Sequence, residues 1–291
     1  MELPVPAVVG ENSDVADRLD AVADLLTDQG APAAHVAEYR AAATAIRLLA
    51  QPVNELLEQQ GVAALDAVPA VGPAISRAVR DLVVTGRLAI LERLRGEDDA
   101  EALLASVPGI GETLAQRLHD EYDVETLEQL EAAAHDGRLQ KIAGFGPKRV
   151  AGIRDTLAQR LGRLRRMSLP REGPQPTVAE LLDVDREYRE RTGAGTLPRI
   201  APRRYNPANE PWLPILHTER GGRFFTALFS NSPRAHQMRK VWDWVTLYWD
   251  GDDGERRATI ITARVGPLHD RRVIRGREKE CEQHYGVKPR F

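Results

Sequence analysis

The chain has 291 residues, 40 Lys+Arg against 43 Asp+Glu (formal net charge −3), and a single cysteine. This length implies two or three small domains with ample core, and one cysteine, Cys281, excludes an internal disulfide and fits a reducing cytosol. No segment approaches a membrane span, and the opening MELPVPAVVGENSD has neither a basic start nor a long apolar run, so no membrane and no secretory leader are expected.

In chain order, the first predicted helix spans about Ser13–Thr27, with Val15, Leu19, Val22, Leu25 and Leu26 on one face and Asn12 or Ser13 as cap. Gly30 ends that segment, and Pro32 opens a second helix striped by Val36, Tyr39, Ala43, Ile46 and Leu49. Pro52 breaks the pattern and restarts it. An eight-residue phrase then occurs three times: LDAVPAVG from Leu65, LASVPGIG from Leu104 and LQKIAGFG from Leu139. Each copy continues with a small or apolar residue four positions on (Ser76, Ala115, Val150) and an apolar one at seven (Val79, Leu118, Ile153). The expected unit is helix, tight glycine turn, helix, three times over.

Such a turn has a chemical use. The first amides of its second helix lack intrahelical acceptors, and the helix dipole favours an anion there. Gly72, Gly109, Gly111, Gly144 and Gly146 are the candidate phosphate-facing turn residues, and Lys148, Arg149 and Arg154 are the candidate cations. Phe145 is expected to plug the core beneath the third turn, with Pro147 in the first helical turn. The copies are unequal: the first has Ala70 where the others have Gly109 and Gly144, and the second carries Glu112 directly after its last glycine. Phosphate grip reads no bases, so binding without sequence preference follows.

Charge ranks the copies too. Residues 1–137 hold 9 basic and 25 acidic residues, whereas Arg138 to Arg166 holds nine basic ones opposed by Asp155 alone. The third hairpin and its tail (Arg154, Arg160, Arg163, Arg165, Arg166) form the expected basic face. The acidic first lobe is a solvated surface or faces a protein partner.

With these motifs in place, residues about 12–165 resemble the N-terminal part of family X DNA polymerases, the DNA polymerase beta type. The segments Asn12–Thr27, EYRAAATAI (38–46), VPAVGPAISRAVRDLVVTGRLAILERL (68–94) and both later hairpins carry the likeness in order. The resemblance implies a small all-helical domain binding the 5′ side of a DNA gap, a further hairpin on the primer side, and a monovalent cation where turn carbonyls converge. The family's chemistry is largely missing. No lysine precedes Lys141; Ala74 and Ala78 stand at the family's lysine positions, and arginine cannot form the Schiff base a lyase needs. Asp183 and Asp185 have the i, i+2 spacing of strand-borne metal ligands, but their neighbours follow helical spacing, which turns the two carboxylates apart on a solvated face. No Gly-Ser nucleotide loop precedes them. The clustered histidines of the family's phosphoesterase module are also missing.

The linker SLPREGPQP (168–176) precedes a change of texture: all four tryptophans follow residue 211. A capped helix is expected from Thr177, then strand-like runs at Trp212–Thr218, Arg223–Ser230, Val241–Trp249 and Arg257–Arg264, the last two joined by the turn signal DGDDGE. A short helix capped by Ser232 and a closing helix in RGREKECEQHY complete the prediction. Trp242 and Trp244 would alternate on a strand, as core or as base-stacking platforms. Arg275 and Arg277 are candidates for a second phosphate contact, beside Arg271, Arg272 and Lys279.

The expected fold class is therefore multidomain: an all-α helix-hairpin-helix half followed by a small α+β domain with an antiparallel sheet. The expected boundaries are 1–95 (helical domain with the first hairpin), 96–166 (tandem hairpins), 167–176 (linker) and 177–291 (α+β). Three functional readings stay open. One is a cytoplasmic DNA-binding protein for gapped, nicked or single-strand-junction DNA, accessory to repair or processing. Another is a nuclease or phosphoesterase using His217, Arg220, His236, Glu278, Glu280 or His284. The third is a scaffold that binds a protein partner through the acidic lobe.

Overall fold

The structure is a computed structural model describing residues 12–97, 100–122, 124, 126–167, 175–251 and 254–287. Among the described residues ten helices come first: α1 (Asn12–Asp28), α2 (Ala33–Arg47), α3 (Val53–Gln60), α4 (Val62–Asp66), α5 (Pro73–Thr85), α6 (Ala89–Arg95), α7 (Ala100–Ala105), α8 (Glu112–Tyr122), α9 (Leu127–His135) and α10 (Pro147–Met167). A 3₁₀ turn at Leu139–Lys141 precedes the last of these. Then follow α11 (Val178–Gly193), β1 (Arg199–Ile200), β2 (Leu213–Arg220), β3 (Arg223–Phe229), α12 (Pro233–Gln237), β4 (Val245–Gly251), β5 (Gly254–Thr262), β6 (Arg272–Ile274) and α13 (Glu278–His284). The fold class is the expected one: a helical half with helix-hairpin-helix units, then an antiparallel sheet region.

Local signals explain the starts of α9, α11 and α12. Thr177 and Glu180 form a reciprocal capping box at the start of α11. Ser232 accepts from the Ala235 amide and Pro233 opens α12. Asn12 behaves otherwise than expected. Its side-chain amide donates to Leu49 and Gln51 carbonyls, and its Oδ1 accepts from the Val53 amide at 2.8 Å. It therefore ties the start of α1 to the entry of α3 instead of capping its own helix.

Among the described residues, strands β1 to β6 form one meander in sequence order, each neighbouring pair antiparallel. The expected run Val241–Trp249 becomes a strand only at Val245, because Lys240–Trp244 closes a turn through Asp243 N→Lys240 O (2.9 Å) and Trp244 N→Lys240 O (2.9 Å). Trp242 is 62 % exposed, set edge-on to Trp212 and Phe229, whereas Trp244 is buried. The two tryptophans therefore do not share a strand face.

Alternation along the strands assigns the two faces of the sheet. Thr218 and Phe229 turn to α11: Thr218 donates to Glu187, and the Tyr188 hydroxyl donates to Pro214 O and accepts from Phe229 N. His217 and Phe224 turn the other way, toward the first helical lobe. There His217 Nε2 meets Gln29 Oε1 at 3.0 Å, and His35 stacks flat on Phe224 at 4.3 Å. An antiparallel sheet commonly leaves one face wet. This one is covered on both, which explains the unbroken burial of Leu213–Thr218.

The apolar core divides accordingly. One cluster runs through residues 15–94 and 178–281, so the first lobe and the sheet share it. A second runs from Leu104 to Leu161, inside the second and third hairpins, and a small third one joins Ala235, Val241 and Trp244. Across the first boundary, Arg93 of α6 is 2 % exposed; it ion-pairs in two places with Glu255 of β5 and lies 4.0 Å over the Tyr248 ring.

Candidate nucleic-acid interface

The three turns share one backbone design. An amide two residues before each second helix closes on the carbonyl three back: Val71 N→Val68 O (3.0 Å), Ile110 N→Val107 O (2.9 Å) and Phe145 N→Ile142 O (3.1 Å). The side chains of Val71, Ile110 and Phe145 are each 3 % exposed, so every turn carries an apolar plug beneath it. Outside the plugs, Gly72, Gly111 and Gly146 are exposed, as are Pro73, Glu112 and Pro147 at the helix starts. The position before the plug has a left-handed backbone in all three: φ is 68° at Ala70, 91° at Gly109 and 100° at Gly144. The first turn thus reaches the common shape with an alanine where glycine is the unstrained residue.

Hairpins two and three lock together by exchange. A methyl group on Gly144 would stand 2.9 Å from Leu114 Cδ2, and one on Gly109 would stand 3.6 Å from Arg149 Cγ. Leu114 and Arg149 hold the same place in their copies, as do Gly109 and Gly144. Each second helix therefore lays the same position across the other hairpin's turn, as a twofold axis between the hairpins requires. Arg117 extends the contact by donating to Ala143 O at 2.6 Å. The arrangement leaves two exposed helix starts, at Glu112 and Pro147, related by the axis.

The candidate cations divide. Lys148 is exposed beside the third turn. Arg149 is also exposed, but its guanidinium donates to Gly144 O and its stem covers Gly109, so it braces the turns. Arg154 donates through Nε (2.9 Å) and Nη2 to Ala134 O at the end of α9, a tie within the hairpin pair. The side chains of Arg160, Arg163, Arg165 and Arg166 lie outside the described residues.

The first hairpin is built differently. Helix α5 packs against both α10 and β5. Its Arg77 is 1 % exposed and donates to Asp66 (2.7 Å) and Pro73 O (2.8 Å).

In the C-terminal region the sequence candidates do not converge. His217 is buried between Gln29 and Thr226, and burial holds it neutral, down to about 3. His236 bonds Asn231 at 2.6 Å, Arg220 bridges Asp183 and Glu187, and Glu280 pairs with Arg277. Asp183 and Asp185 do lie on a helix, but the solvated-face expectation fails for Asp185: it is 2 % exposed and holds Arg272 through both oxygens. Sequence reasoning missed this pair because its members are 87 residues apart. Among the described residues no three His, Cys, Asp or Glu side chains could hold a metal ion, and no helix is long and apolar enough to cross a membrane. Arg277 donates to Glu280 and Pro176 O, whereas Arg275 lines a cleft against the sheet. The two proposed partners in a second phosphate contact are thus employed separately.

The repeat, its turn geometry and the exchange contact define a known kind of module. Residues 62–121 and 100–159 each match the family model of the SAM-like helix-hairpin-helix tandem. The first match takes in hairpins one and two, the second hairpins two and three, so the overlap reproduces the threefold phrase. Residues 62–159 are a helix-hairpin-helix region, and such a region points to DNA binding without sequence preference. A search of the curated proteins finds no match.

Proposed function

We propose that this protein grips the backbones of DNA through hairpins two and three, with hairpin one as a brace between α10 and the sheet. The observation that carries the reading is the reciprocal seating of Leu114 on Gly144 and Arg149 on Gly109. A duplex has its own twofold axes, so paired helix starts suit two phosphates on opposite strands. The family X resemblance of residues about 12–165 favours gapped or nicked DNA and a place in repair or processing. The single cysteine favours a reducing cytosol.

Anisotropy titrations of the full chain on a labelled gapped duplex test this. Affinity should fall steeply between about 50 and 200 mM salt and should not depend on sequence. Lys148→Glu should weaken binding and lower the salt slope by about one. Glu112→Lys, which replaces an anion at a helix start, should tighten it. Affinity unmoved by both charge reversals would overturn the proposal.

A further inference from the structure

Among the described residues five large hydrophobic side chains are exposed: Leu48, Tyr205, Met238, Trp242 and Val265. All but Leu48 surround α12 and the turn that follows it. The Tyr205 ring lies 4.0 Å from that of His236 on α12. Met238 caps the end of α12, and Trp242 stands in the turn after it. The loop carrying Val265 leaves β5 beside the same turn, where Thr262 donates to Asp243 at 2.6 Å. Single exposed apolar residues are ordinary, but several gathered in one place mark an interaction site.

The group is held rigidly. Lys240 N donates to Ala235 O at 2.7 Å, and the Asp243 and Trp244 amides both donate to Lys240 O, so the turn is fixed at both ends. Edge-to-face contacts with Trp212 and Phe229 orient the Trp242 indole yet leave 62 % of the residue in water. Ala235, Val241 and Trp244 form a small apolar core of their own, with Trp212 packed against it. Tyr205 and Arg239 take left-handed backbone, φ 55° and 54°. Residues other than glycine rarely adopt that region, and such strain persists where the surroundings enforce a particular aim.

Cations are interleaved with these side chains. Each of the four apolar residues has a basic one within two positions: Arg203 before Tyr205, Arg239 after Met238, Lys240 before Trp242 and Arg264 before Val265. Arg203 and Arg239 are exposed, and among the described residues neither guanidinium has a hydrogen bond or an ion pair. Lys240 stands 3.8 Å from Asp243, and Arg264 stands 3.6 Å from Asp270; such long pairs hold their cations weakly. A single nucleic-acid strand alternates a charged phosphate with a flat base at every nucleotide. Exposed rings beside cations match both halves of that repeat and read no sequence. The position suits it as well. Helix α12 packs on α8, whose exposed start at Glu112 is one of the two paired helix starts, and α8 is about 16 Å long at 1.5 Å per residue.

We propose that Tyr205 and Trp242 form a shelf on which unpaired bases of a DNA single strand stack, with Arg203 and Arg239 meeting its phosphates. For the strand at a gap this rests on the DNA-gripping reading above: a duplex held at the α8 start has its gap beside α12.

The full chain is titrated with labelled oligothymidylate of about ten nucleotides, with a nicked duplex, and with the same duplex gapped by about six. The oligomer should bind and quench tryptophan fluorescence, since a stacked base covers the exposed Trp242 indole. Opening the nick to a gap should tighten binding severalfold. Trp242→Ala should weaken the oligomer by about fivefold or more, abolish the quench and cancel the advantage of the gap, while the nicked duplex binds as before. Trp242→Phe, which keeps a ring, should retain most of the oligomer affinity and guards against a folding defect. If the duplexes bind but neither the oligomer nor the gap depends on Trp242, the shelf is overturned and the hairpin reading stands. If the oligomer binds through Trp242 and no duplex binds, the hairpin reading is overturned and the shelf stands. If the fluorescence shifts with protein concentration alone, and Trp242→Ala gives a smaller species in sedimentation, this surface joins two copies of the chain and the shelf is overturned.

Discussion

At the residue scale, the instructive groups are the titratable side chains sealed between the first lobe and the sheet. His35 is buried against Phe224 and Tyr39, and among the described residues neither ring nitrogen has a hydrogen-bond partner. Burial holds it neutral, down to about 4. The unfolded imidazole takes up a proton near 6.5, so below that pH the unfolded chain binds more protons and stability falls as acid is added. Asp250 works in the opposite sense. Burial, then the charges of Glu255 and Glu38, raise it to about 7, although Arg93 opposes them. The folded chain keeps that proton between about pH 4 and 7, so this contribution is lost as pH rises through the window. His35→Phe should therefore stabilise the protein, by about 1 kcal/mol at pH 8, where it removes two unpartnered polar atoms, and by on the order of 2 kcal/mol more at pH 5. Urea unfolding at the two pH values checks this, and an equal gain at both would refute the linkage. Asp250→Asn should make stability climb more steeply with pH between 4 and 7, read from the same curves.

At the scale of the element, the three hairpins are one sentence with different stresses. Ala70 occupies a left-handed backbone that costs a non-glycine residue about 1–2 kcal/mol. Glycine gives back part of this in unfolded-state entropy, about 0.5–1 kcal/mol, so Ala70→Gly should raise stability by up to about 1 kcal/mol in thermal unfolding. Gly144→Ala should do the reverse, by about 1–3 kcal/mol, because it meets both φ 100° and Leu114. It should also weaken DNA binding by prising the paired turns apart, measurable as anisotropy at a temperature where the variant is folded. The turns were legible in the sequence because everything they need is local: a left-handed position, an apolar plug and a helix start within eight residues. The strands β2 to β5 were legible from their apolar runs. β1 and β6, of two and three residues, are too short to show a period. Asp185 read as a helix-surface charge, since the Arg272 that holds it comes from β6. The bracing duties of Arg149 and Arg154 were not legible, because they depend on which carbonyl the fold brings near.

At the scale of the whole molecule, the apolar clusters cut across the order of the chain. The first lobe and the sheet share one core although the tandem hairpins lie between them in sequence. Each alone would expose the surface it shares. Co-expressed segments 1–170 and 171–291 should therefore associate and co-elute as one species; two separately eluting, folded fragments would contradict the shared core. Glu255→Gln should cost about 3 kcal/mol, because it removes the charge that meets the buried Arg93 guanidinium at two atoms. Sequence alone could not foresee this joint, since no periodicity within either segment records its partner.

The Arg93–Glu255 clamp spans 162 positions. A ribosome working at about 5–20 residues per second needs roughly 10–30 s to travel that span. For that interval the newborn first lobe waits with its seam toward the sheet uncovered. The tandem hairpins, with a core of their own, can finish meanwhile. Maturation thus runs out of order, the tandem hairpins closing before the lobe that precedes them, and that lobe is the one that most needs shelter.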